Sequence, residues 1–86
     1  MKTSSMEAMT QWLPPKQWII LYLINRLEFA DIYGDAKISV SRKLVERYYG
    51  KNNTKVAIYT LRKEGWILSG PDDTLVPGVE FVAAYM

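Results

Sequence analysis

Between Asn52 and Lys63 the chain reads NNTKVAIYTLRK. At helical spacing, Thr54, Ala57, Ile58 and Leu61 fall on one side. Asn52, Asn53, Lys55, Val56, Tyr59 and Thr60 lie away from it. Those residue types can read base edges. An asparagine amide pairs bidentately with adenine, a lysine donates to guanine, and a valine methyl packs against the methyl of thymine. Around them stand Arg42, Lys43, Arg47, Lys51, Arg62 and Lys63, cations suited to phosphate oxygens, which fix register without reading sequence. Each of these charges taken singly is equally at home as a solvated surface residue.

The charge distribution strengthens the set. From Lys37 to Lys63 there are eight basic residues and one acid, Glu46, whereas the rest of the chain holds three basic residues and eight acids. The net charge of +2 conceals this split. A basic segment inside a nearly neutral chain points to a polyanionic partner.

Other chemistries are closed off. The 86 residues include no cysteine and no histidine. Disulfides, thiolate or imidazole metal sites, and Ser-His-Asp or Cys-His catalysis are therefore excluded. No glycine-rich phosphate loop and no paired nucleophile and base is visible, so the chain reads as a non-enzyme with no cofactor and no metal. Asp72 and Asp73 read as turn formers, and the NNT triplet at Asn52 as the start of a helix instead of a glycosylation site. The aromatics Tyr48, Tyr49 and Trp66 have spacings that suit a core.

The elements that must position these residues follow from punctuation and periodicity. Residues 1–12 read as a flexible arm, with Ser4 and Glu7 as a weak capping box. Residues 13–86 read as a single domain. Pro14 and Pro15 open a helix running to about Ala30. Its apolar residues (Trp18, Ile19, Ile20, Leu21, Tyr22, Leu23, Ile24, Leu27) exceed the single stripe of a surface helix. Gly34 and Asp35 mark a loop, and Ile38 and Val40 alternate as in a short strand. A second helix, SRKLVERYYG, is capped by Ser39 or Ser41 and ended by Gly50. A third begins at a cap on Asn52 or Asn53 and stops at Gly65. Trp66–Leu68 and Thr74–Val76 form a hairpin around SGPDD. Pro77 then opens a short C-terminal helix.

This order, with the Leu61-x-x-x-Gly65-Trp66-Ile67 end of the third helix, the SRKLVERYYG helix before it and TLVPG after the hairpin, resembles the winged helix-turn-helix family of DNA-binding transcription regulators. The resemblance covers roughly residues 14–82. It implies an α+β, mostly α fold: a three-helix core, a short two-stranded wing and a C-terminal helix. It implies sequence-specific binding of double-stranded DNA, with the third helix in the major groove. One feature departs from the family. Many members have a basic wing tip, whereas here it is GPDD, and Asp72 and Asp73 repel phosphate.

The surplus of apolar residues on the first helix and in the VEFVAAYM tail predicts a homodimer, with Trp18, Leu21, Tyr22, Phe81 and Tyr85 at its interface. A dimer sets two recognition helices about 34 Å apart, one turn of DNA. The alternative is a winged-helix module that binds a protein partner, as an adaptor or inhibitor, and not DNA. The longest apolar run, Trp18–Ile24, is too short for the roughly 20 residues a bilayer requires. With no apolar targeting segment in MKTSSMEAMTQW, a cytoplasmic protein without membrane association is the expectation.

Overall fold

The computed structural model describes residues 13–34 and 37–86. The arm expected over residues 1–12, with its Ser4–Glu7 capping box, lies outside the described residues, as does Asp35. Helix α1 spans Pro15–Tyr33, with Pro14 in extended conformation at its N-cap. It runs three residues beyond the expected end at Ala30. The stop comes at Gly34, whose positive φ of 95° lets its N–H turn back to the Ala30 carbonyl at 2.7 Å. Contact between the Phe29 and Tyr33 rings, centroids 4.4 Å apart, supports that last turn.

Strand β1 is Val40–Ser41, starting two residues later than the alternation at Ile38 and Val40 suggests. Helix α2, Arg42–Tyr49, follows at once with Ser41 at its N-cap, and an Arg42–Glu46 ion pair at 3.2 Å braces one face. Gly50 (φ 83°) ends α2 and begins α3, Lys51–Lys63. Neither asparagine caps α3. The helix starts one residue before Asn52, and the Asn53 side-chain amide instead donates to the Tyr49 carbonyl at 3.1 Å, closing the end of α2.

The end of α3 is wired by two backbone bonds. Gly65 N–H reaches the Arg62 carbonyl at 3.1 Å, and Trp66 N–H reaches the Leu61 carbonyl at 2.9 Å. This is the Schellman pattern, which needs a left-handed residue and finds it in Gly65 (φ 85°). Strands β2, Ile67–Gly70, and β3, Thr74–Pro77, then pair antiparallel through a 3-10 turn at Pro71–Asp73. The sheet has three strands in the order β1-β3-β2, because β1 adds to the far edge of β3 with Val40 opposite Leu75. A purely two-stranded hairpin was expected. Pro77 closes β3 instead of opening the last helix, and α4, Val79–Tyr85, begins after Gly78. A Cβ on Gly78 would clash with the Gly65 carbonyl oxygen, so the turn after α3 and the start of α4 touch backbone to backbone.

The core lies where α1, α3 and α4 meet the sheet. Trp18, Ile19 and Leu23 of α1 pack with Val45, Ile58, Leu61, Ile67, Leu75 and Phe81. Burial of this apolar surface is the main stabilising term. Trp18 organises the α1–α2 contact, with ring centroids 5.2 Å from Tyr22, 5.5 Å from Tyr48 and 6.2 Å from Tyr49. Among the described residues the result is a mostly helical α+β fold with four α-helices and a small antiparallel sheet.

Candidate nucleic-acid interface

Helix α3 turns one face inward through Thr54, Ala57, Ile58 and Leu61, all buried. The 3.6-residue period then forces Asn52, Lys55, Val56, Tyr59, Arg62 and Lys63 outward. All six are exposed, Val56 at 65% and Tyr59 at 67% of their free surface. Lys51 at the start of α3 and Lys43 and Arg47 on α2 are exposed as well. Helices α2 and α3, which follow one another at Gly50, thus both expose cations, and α3 adds a polar and aromatic stripe.

The other expected contact residues are partly committed elsewhere. Asn53 is exposed, but its amide N–H₂ donates to Tyr49. The Thr60 hydroxyl donates to the Val56 carbonyl at 3.0 Å within its own helix. The Arg42 guanidinium faces Glu46, which neutralises part of its charge. Asn52, Lys55, Val56 and Tyr59 therefore form the compact centre of the surface, with Lys51, Arg62 and Lys63 around it.

Sequence alone does not single out one exposed neighbour of these residues. Leu68 on β2 is exposed and, with Tyr59, Arg62 and Lys63, lines an open depression of about 520 Å³ between α3 and the hairpin. The signal was the strand alternation, which sends Ile67 inward and Leu68 outward. An aromatic ring and an aliphatic side chain beside two cations offer contacts to a sugar and a phosphate together.

No family model, curated protein or solved structure matches the chain.

The hairpin tip differs in character from this surface. Asp72 and Asp73 are exposed and both hold left-handed backbone, with φ of 56° and 59°. Aspartate tolerates that region better than most residues. Thr74 anchors the turn, its hydroxyl donating to the Pro71 carbonyl at 2.6 Å.

Of the residues expected at a subunit interface, Trp18 and Phe81 are fully buried inside the chain and cannot meet a partner directly. Both are large apolar side chains on inward-facing positions, and the domain uses them as core. Leu21 and Tyr22 are half-buried, and Tyr85 keeps 46% exposure. Among the described residues there is no cluster of three or more His, Cys, Asp or Glu that could hold a metal, and no helix long and apolar enough to cross a membrane.

Proposed function

We propose that the protein is a homodimeric winged-helix regulator that binds specific double-stranded DNA, with α3 in the major groove. The observation that carries this reading is the exposed stripe of Asn52, Lys55, Val56 and Tyr59 on a helix that also exposes Lys51, Arg62 and Lys63. An α-helix fits the major groove, and residues of its N-terminal half meet the bases. In this arrangement Asn52 and Lys55 donate to base edges and Val56 meets a thymine methyl. Lys43, Arg47, Lys51, Arg62 and Lys63 hold phosphates on either side.

The test is binding to duplex DNA by fluorescence anisotropy across a salt series. Neutralising four to six phosphates gives a slope of log K against log salt of about −4 to −5. Lys55→Ala/Lys63→Ala should make that slope shallower by about 2, while shifting stability by no more than about 0.5 kcal/mol, as expected for exposed side chains. Absence of binding at low salt by a folded protein would defeat the proposal.

The acidic hairpin tip favours a second reading, a protein-binding module of the same fold. Asp72 and Asp73 stand where a basic wing would approach the duplex, and like charge there opposes docking. The two readings part at Asp72→Asn/Asp73→Asn. A DNA binder should tighten when these charges are removed, whereas a module that recognises a basic protein partner should lose that partner.

A further inference from the structure

Strand alternation gives the β2–β3 hairpin two different sides. Ile67 is fully buried, so Leu68 next to it points away from the core and is exposed. Val76, half-buried, is the cross-strand partner of Leu68 and shares that outer side. Leu68 also borders α3, where it lines the open depression of about 520 Å³ with Tyr59, Arg62 and Lys63. Tyr59 and Leu68 supply a ring and an aliphatic chain, and the two charges that line the depression are both positive. Glu64, the next residue after Lys63, turns instead toward Lys16 of α1, at 3.8 Å.

From this arrangement we infer that the flank of the hairpin, not its tip, meets the DNA, and that the depression seats one sugar of the duplex backbone. A backbone sugar presents carbon and hydrogen on its faces and carries a phosphate on either side. Tyr59 and Leu68 match the first, and Arg62 and Lys63 the second. A purely apolar occupant would leave both cations unanswered, and a free phosphate would leave the ring and the leucine unused. The inference rests on the DNA-binding reading and adds to it a contact beside the base-reading half of α3. It also accounts for the acidic tip. Asp72 and Asp73 follow Leu68 across the rest of β2 and the turn, roughly 10 Å farther along the hairpin. That is about one Debye length in 0.1 M salt, so their repulsion of phosphate is much reduced at the seat.

The test is an anisotropy salt series on the full chain with a labelled random-sequence DNA duplex as probe. Leu68→Lys places a cation at the seat. It should tighten binding several-fold at low salt and steepen the slope of log K against log salt by about 1. Leu68→Glu should weaken binding by about tenfold, because it sets a carboxylate against phosphate. Leu68→Ala removes contact area and no charge, so it should weaken binding by about threefold and leave the slope unchanged. Val79→Lys adds the same charge at an exposed position outside the depression and should change the slope less. Leu68 and Val79 are both exposed, so all four variants should keep the wild-type circular dichroism spectrum. A slope that Leu68→Lys leaves unchanged, or that Val79→Lys steepens equally, would overturn the seat while DNA binding by the wild type stands. No binding by the folded wild type at low salt would defeat both readings together.

Discussion

Helices α1 and α3 meet the same core and make the same demand of it. Each buries a short stripe of apolar side chains, Trp18, Ile19 and Leu23 on α1, and Ala57, Ile58 and Leu61 on α3. They differ on their outer sides. The exposed side of α3 carries Lys51, Asn52, Lys55, Tyr59 and Lys63, whereas α1 keeps Ile20, Leu21 and Ile24 half-buried beside Trp66 and Tyr85. Folding a lone domain does not require either choice, because a solvated face needs only to be soluble. The outer composition therefore reports what each helix meets. A cationic, hydrogen-bonding stripe suits a polyanion, and a half-buried apolar strip suits packing against apolar surface.

The comparison is broken most severely from inside. Trp18→Ala removes a fully buried indole and its contacts with Tyr22, Tyr48 and Tyr49. It should cost about 3–5 kcal/mol in urea unfolding. A domain of this size has about 5–15 kcal/mol in all, so the variant should be close to unfolding. A loss below about 1 kcal/mol would mean that Trp18 is not the anchor between α1 and α2.

A smaller change on α3 should act in the opposite direction. Thr54 is completely buried, and among the described residues its hydroxyl has no hydrogen-bond partner. A buried hydroxyl left unpaired costs about 1–3 kcal/mol. Thr54→Val keeps the branched shape and removes the polar atom, so it should raise stability by about 1 kcal/mol. It should leave the salt slope of DNA binding unchanged, because it alters only the core side of α3. A loss of stability would show that the hydroxyl is satisfied in solution.

The parts that could be read from sequence are those set by local chemistry. Pro14 and Pro15 start α1, Gly50 separates α2 from α3, Gly65 ends α3, and the period of Thr54, Ala57, Ile58 and Leu61 separates core from surface. What escaped depended on contacts distant in sequence. The alternation at Ile38 and Val40 marks a short strand, but no local rule says that Val40 pairs with Leu75, so its place in the sheet does not follow from sequence. The surplus of apolar residues on α1 was legible, but not its partition. Trp18 went wholly to the core and Ile20 to a half-buried position at its edge, and periodicity alone cannot choose between two apolar faces. The asparagines were read as caps because that is their usual role. Here Gly50 occupies the cap, and Asn53 turns back to Tyr49.

The smallest expected effect concerns how α1 is held at its start. The Tyr49 hydroxyl donates to the Leu13 carbonyl at 2.7 Å, tying the chain just ahead of α1 to the end of α2. Tyr49→Phe keeps the ring and deletes the bond, at a cost of about 0.5–1.5 kcal/mol. Burial also raises the pKa of this phenol above its ordinary value of 10.0, because the phenolate would lose hydration. The folded state therefore holds the proton more tightly than the unfolded state does. The contribution is complete below about pH 10, where the phenol is protonated in both states, and declines as pH rises from there through the folded-state pKa. Urea unfolding of wild type and Tyr49→Phe from pH 7 to 11 should show a constant gap that narrows only at the alkaline end. A gap that narrowed below pH 9 would place the titrating group elsewhere and leave the start of α1 held by packing alone.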